Sequence, residues 1–220
     1  MKPAKLLLPA LAALSFSLDA HAAYVSYDLT RSSELRDGPA YLRVTIDDQG
    51  LPGRINFNVS VLDPLLDLAD RRFGIEKFAF NSDFRLSSSN IAALPGNWRF
   101  DANERMGGYG TFDVQLEAKN GHSRVSSLSF SIRNVAWDTI WSYVDPSSIH
   151  RRGAGFFFAA QVGGLDTSRD FCVTDASYFA GSTPTPQAVP LPPAAGLMLG
   201  GLVMLGAWRR RRRTSTASAS

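Results

Sequence analysis

Residues 41–61 read Tyr41-Leu42-Arg43-Val44-Thr45-Ile46-Asp47-Asp48-Gln49-Gly50-Leu51-Pro52-Gly53-Arg54-Ile55-Asn56-Phe57-Asn58-Val59-Ser60-Val61. Leu42, Val44 and Ile46 alternate with Arg43 and Thr45, and Ile55, Phe57, Val59 and Val61 alternate with Arg54, Asn56, Asn58 and Ser60. A period of two puts successive side chains on opposite faces of a strand, so each segment has one dry face and one wet face. Asp47-Asp48-Gln49-Gly50 between them has turn composition. The stretch predicts a hairpin, and with it a β-rich domain.

Outward from this hairpin the pattern recurs. Phe112, Val114 and Leu116 alternate with Asp113, Gln115 and Glu117, and Leu128, Phe130 and Ile132 alternate with Ser127, Ser129 and Ser131. Asn120-Gly121 lies between them, so a second hairpin is expected. Further strands are expected at 24–29, 75–80, 98–100 and 155–162, and a helical turn within 62–72. No amphipathic helix of useful length and no internal repeat stands out. Seven or more short strands joined by turns rich in Gly, Asp, Asn and Pro predict an all-β domain of β-sandwich or jelly-roll type over 23–180.

Chemistry-bearing motifs are scarce. The chain lacks a Gly-x-Ser-x-Gly elbow, a P-loop and a dinucleotide fingerprint. After residue 22 the histidines are His122 and His150, each without Cys, His or carboxylate company at a ligand spacing, so no metal centre is assigned. Asp47–Gly50 and Asp101–Glu104 resemble parts of a calcium loop but lack the later bidentate Glu. A structural calcium is the one cofactor they leave open. No catalytic residue is assigned and the expectation is a protein that is not an enzyme. Trp98, Trp137, Trp141 and Tyr143, with Tyr109, are candidates for stacking on sugar rings, against the alternative that they are core aromatics.

The basic balance comes from the ends of the chain. Lys and Arg total 23 against 20 Asp and Glu; without Lys2, Lys5, Arg209–Arg213 and Asp19, residues 23–187 keep 16 basic and 19 acidic side chains, a net charge of −3. That removes the electrostatic case for nucleic acid. Cys172 is the single cysteine, which excludes an internal disulfide and reads best as a small buried side chain.

The start has the three parts of a secretion signal. Lys2 and Lys5 give a positive region, Leu6–Leu18 is a mostly apolar run, and Ala20-His21-Ala22 fits the small-x-small cleavage pattern. Residues 1–22 are therefore expected to be removed by signal peptidase after the secretion machinery has engaged them, leaving Ala23 as the first residue. The end is also tripartite. A Pro/Ser/Thr linker at 181–188 leads to Val189-Pro190-Leu191-Pro192-Pro193, then to an uncharged apolar run at 194–208, then to Arg209, Arg210, Arg211, Arg212 and Arg213, with a disordered tail expected at 214–220. Fifteen residues of helix reach about 22 Å. A hydrocarbon core is about 30 Å thick, so this is a short transmembrane helix that needs snorkelling or local thinning. The arginines hold the cytoplasmic side and act as a stop-transfer block, leaving the domain outside.

This order of proline motif, short apolar helix and terminal arginine cluster resembles the PEP-CTERM sorting signal of Gram-negative bacteria that make extracellular polysaccharide. Leu191 stands where that signal has glutamate, which resembles the Val-Pro-Leu-Pro-Ala subclass; Pro193 departs from its alanine. The resemblance covers about 25 residues of the chain at its C-terminal end. It implies recognition by an exosortase, a membrane-embedded cysteine peptidase, during transient residence in the inner membrane, and a final place at the cell surface or in the extracellular matrix. Residues 155–164 and 178–182 also resemble the closing segments of some PEP-CTERM ectodomains, which implies the same sandwich and assigns it no activity. The expected role is structural or interactive in an exopolysaccharide or biofilm matrix, with a carbohydrate-binding module as the alternative.

Overall fold

The computed structural model describes residues 24–51, 53–146, 155–166, 168 and 174–185. The chain divides into two units, Met1–Thr185 and Pro186–Ser220, and the second lies wholly outside the described residues. So do the expected cleavage residues Ala20, Ala22 and Ala23, the motif Val189–Pro193, the apolar run 194–208, Arg209–Arg213, His150 and Cys172. No helix among the described residues is long and apolar enough to cross a membrane.

The described chain is mostly strand: β1 (Tyr24–Leu29), β2 (Arg31–Ser32), β3 (Leu42–Asp47), β4 (Arg54–Val61), β5 (Ala69–Phe80), β6 (Ile91–Ala92), β7 (Trp98–Arg105), β8 (Thr111–Ala118), β9 (Ser127–Arg133), β10 (Phe158–Leu165), β11 (Ala176–Gly181) and β12 (Thr183–Pro184). One short helix, Asp63–Leu66, supplies the turn expected within 62–72. Two antiparallel sheets result, ordered β12-β1-β3-β4-β9-β6 (sheet A) and β2-β11-β10-β5-β8-β7 (sheet B). The 41–61 hairpin forms as expected, with Val44 opposite Val59 and Asp47 opposite Asn56.

The second expected hairpin does not form. β8 pairs with β5 and β7 in sheet B, whereas β9 pairs with β4 and β6 in sheet A. The residues between them are too many for a two-residue turn, and Asn120 spends its side chain otherwise. Its Oδ1 accepts the His122 N–H at 3.0 Å and caps a 3-10 turn, Gly121–Ser123, that carries the chain from one sheet to the other. The strands also run further than expected at the end of the domain. Residues 181–185, expected in the linker, belong to the sandwich: Gly181 closes β11, and β12 pairs with β1, Tyr27 opposite Pro184. Pro184 lies on an edge strand, where its missing N–H costs no ladder bond.

The alternating apolar residues of both sheets meet in one core. Phe57 of β4 stacks on Phe130 of β9 at 4.8 Å between ring centres and reaches Phe80 of β5 in the other sheet at 5.0 Å. Phe78 stacks on Phe158 at 6.1 Å within sheet B. The opposite face of sheet B has a smaller apolar cluster. Ala79, Ala159 and Ala180 lie in register across β5, β10 and β11, and Met106 and Tyr109 of the β7–β8 turn pack over them. Gly107 makes that cover possible: its φ is +50°, and a Cβ there would lie 2.2 Å from the Tyr178 ring.

The edges of the sheets are short or broken. β12, β6 and β2 have two residues each. The long edge strand, β7, is interrupted at Asn103, which has φ +57° and is the one position left unpaired between Ala102↔Val114 and Glu104↔Phe112, with the register kept on either side.

Candidate functional site

The strongest local departure from ordinary packing follows β9. Asn134 (φ +60°) turns the chain, Val135 pins it to the core, and Trp137 stands out with φ +67° and 94% exposure. A left-handed conformation costs an L residue about 1–2 kcal/mol. Nothing in the burial of Trp137 offsets it.

A 3-10 turn, Ile140–Tyr143, comes next. Its three-residue period puts Ile140 and Tyr143 on one side, both buried, while Trp141 points outward at 63% exposure. The Tyr143 ring meets Phe57 edge-on at 5.7 Å, and its hydroxyl donates to Asp138 Oδ2 at 2.7 Å. Burial first, then Asp138, pushes the Tyr143 pKa far above the phenolic range, so it is a fixed donor. The loop is also tied to sheet B: Asp83 N–H donates to the Ser142 carbonyl at 2.9 Å, and Asn81 Nδ2 to the Asp145 carbonyl at 3.2 Å. The two tryptophans are thus mounted on an anchored support.

The sugar-stacking candidates therefore separate. Trp98 is 5% exposed and donates its indole N–H to the Ser123 carbonyl at 2.8 Å, and Tyr143 is fully buried. Neither has a ring face open to a ligand, because both are needed to close the core. Trp137 and Trp141 have.

The register shows which end of the sandwich this is. Tyr24 pairs with Asp47 and Arg54 with Arg133, so the start of β1, the β3–β4 turn and the end of β9 share one end of sheet A. Thr185 N–H donates to the Ser26 carbonyl at 2.8 Å, so the last described residue points to the same end. Tyr24 and Leu51 there are 43% and 50% exposed.

Sheet A also keeps an open polar face. Asn58 Nδ2 donates to Ser129 Oγ at 2.8 Å and to Ser127 Oγ at 3.3 Å, Arg54 Nε to Asn56 Oδ1 at 2.9 Å, and Asn56 Nδ2 to Asp47 Oδ1 at 3.2 Å. A groove of about 320 Å³ runs over these residues, bounded by Gln49 and Ala93, both with positive φ. The alternation of 54–60 and 127–133 contains this ladder as the wet half of each strand, a weaker signal than the aromatic side chains.

Several charged groups away from this face form structural pairs. Glu117 binds Lys77 at 2.9 Å and Arg99 at 2.5 Å, and Arg99 also holds Asp101 at 2.8 Å. Burial alone lowers the Lys77 pKa, but the hydrogen bond and charge of Glu117 reverse this and leave it raised. Burial likewise opposes ionised Glu117, and Lys77 with Arg99 outweighs it, holding Glu117 below the usual carboxylate range. Arg124 donates to Glu76 Oε2 from Nε at 2.9 Å and Nη2 at 2.6 Å. It crosses Gly163, where a Cβ would lie 2.3 Å from the guanidinium carbon. Among the described residues no group of three or more His, Cys, Asp or Glu is placed to hold a metal ion.

Compared with protein families, curated proteins and solved structures, the chain matches no family model, no curated protein and no solved structure.

Proposed function

We propose that this chain is an exported protein of the bacterial cell envelope whose sandwich works by contact with matrix polysaccharide and not by catalysis. Its N-terminal signal hands it to the secretion machinery, and its PEP-CTERM-like tail presents Val189–Pro193 to an exosortase-type peptidase at the inner membrane, before display at the surface or in the matrix. The observation that carries the contact reading is the open polar face of sheet A. Asn56, Asn58, Ser129 and Arg54 line one groove. They offer the mixed donors and acceptors that a hydroxyl-rich ligand requires.

A glycan array with residues 23–187, run with and without calcium, tests it. Asn56→Ala with Asn58→Ala removes two hydrogen-bonding side chains at about 1 kcal/mol each, an expected loss of about 25-fold in affinity. An array without signal, or binding unchanged in this variant, refutes the groove. The sorting half has its own test. Pro190→Ala with Pro192→Ala should leave membrane insertion intact and block processing, because the prolines keep that segment extended for entry into a peptidase cleft. Processing that persists in this variant refutes the sorting assignment.

A further inference from the structure

The geometry points to a lipid-docking surface: we propose that the end of the sandwich bearing Tyr24, Leu51, Trp137 and Trp141 rests on the membrane surface while residues 194–208 hold the chain there. The inference depends on the anchoring reading above, and its occupant differs from that of the polar groove.

The exposed large apolar residues among those described are Tyr24, Leu51, Leu66, Trp137 and Trp141. Leu66 belongs to the short helix that follows the far end of β4; Tyr24 and Leu51 lie at the end defined by the pairs Tyr24↔Asp47 and Arg54↔Arg133, and the loop carrying Trp137 and Trp141 leaves β9 from that same end. From β1 across β3 and β4 to β9 is three strand spacings, about 14 Å, so Tyr24, the Leu51 turn and the root of the tryptophan loop at Arg133 lie within that span at one end of the sheet. Tyrosine and tryptophan favour the headgroup region, where an apolar ring is buried and a polar edge stays wet.

Leu51 decides between lipid and sugar. An aliphatic side chain gives a sugar ring no π-face, whereas it adds buried area at an acyl boundary. The conformation of Trp137 supports the same reading, since a strained backbone holding a 94%-exposed ring is better explained by a contact outside the domain than by one within it.

The chain length agrees. After Thr185 come eight residues, 186–193, four of them proline, before the apolar run begins at Ala194. At about 3.1 Å per residue in an extended proline-rich segment they reach about 25 Å at most. The connection between Thr185 and the apolar run is thus shorter than the bilayer core of about 30 Å. The charges at this end are mixed. Arg54 and Arg133 sit side by side, with Asp47, Asp48, Asp138 and Asp145 nearby in the chain. Docking therefore draws on the rings and Leu51 and should depend little on salt.

The test uses the full mature chain with Trp208→Phe, reconstituted in vesicles of phosphatidylethanolamine and phosphatidylglycerol, with and without bromine-labelled acyl chains. Trp98 is buried, so changes in quenching report Trp137 and Trp141. The expected result is co-flotation with vesicles, together with about twofold quenching by bromolipid and shielding from acrylamide, as for rings at the interface. Leu51→Asp with Tyr24→Asp should keep flotation and remove most of the bromolipid quenching. Flotation with acrylamide quenching and no bromolipid quenching overturns docking and leaves anchoring intact. Absence of flotation overturns anchoring and docking together. Shielding from acrylamide by polysaccharide in detergent, without bromolipid quenching on vesicles, makes the loop a sugar platform and overturns the proposal.

Discussion

Replacing Phe57 by alanine is the most direct test of how the two sheets are joined. The side chain is 2% exposed. Its ring meets Phe130 in its own sheet at 4.8 Å, Phe80 and Phe78 across the interface at 5.0 and 6.5 Å, and Tyr143 of the tryptophan loop at 5.7 Å. A Phe→Ala change in such a site costs about 3–5 kcal/mol, the lost transfer energy plus the cavity that rigid neighbours cannot close. A domain of this size has about 5–15 kcal/mol of stability in total, so the variant should fold but be weakened. With a urea slope of about 2 kcal/mol per molar, a loss of about 4 kcal/mol moves the midpoint down by about 2 M. Far-UV circular dichroism of residues 23–187 across a urea series measures this, with Asn58→Ala as a surface control expected to stay within about 0.5 kcal/mol of the parent. A shift below about 0.5 M at unchanged slope would mean that Phe57 does not join the sheets, and the core assignment would fail.

Trp137→Gly should leave stability unchanged or raise it by up to about 1 kcal/mol, since relief of the left-handed backbone outweighs or balances the extra freedom of unfolded glycine; a loss greater than that, seen as a lower urea midpoint, would show that the ring packs on the domain. Gly74→Ala should destabilise by several kcal/mol, on the order of 2–4, because φ is +149° and a Cβ would meet the Val125 carbonyl at 2.7 Å; wild-type thermal stability would refute the register there. The lowered Glu117 pKa makes its contribution fully present above the unfolded value of about 4.3 and lost as pH falls through the lower folded value. Glu117→Gln should therefore flatten the acid limb of the stability profile below about pH 4, and an unchanged limb would contradict the Lys77–Glu117–Arg99 linkage.

The hairpin at 41–61 was legible because its pairing is local: both strands alternate, and the turn lies directly between them. The segments 112–117 and 128–132 alternate just as clearly, yet periodicity gives a strand its two faces and not its neighbour. What sends them to different sheets is the cap made by Asn120 and the partners β5 and β4, which are far away in sequence. β11 escaped because Ala176–Gly181 has small residues and little alternation, and it is recruited by pairing with β10. Tryptophan exposure was illegible for a similar reason. Trp98 and Trp137 are the same residue type in the same domain, and only the strand end beyond Arg133 determines that one is enclosed and the other is not.

The left-handed break at Asn103 has a consequence for how copies of the molecule meet. A neighbouring chain laid along β7 would find five residues in register, Trp98–Ala102, before the kink and two, Glu104 and Arg105, after it. Stacked fibrils are seeded by uninterrupted runs of about six or seven residues. Every other free edge has two. At high concentration, copies of this molecule are denied the simplest route by which β-sheets polymerise, and their contacts are left to side chains.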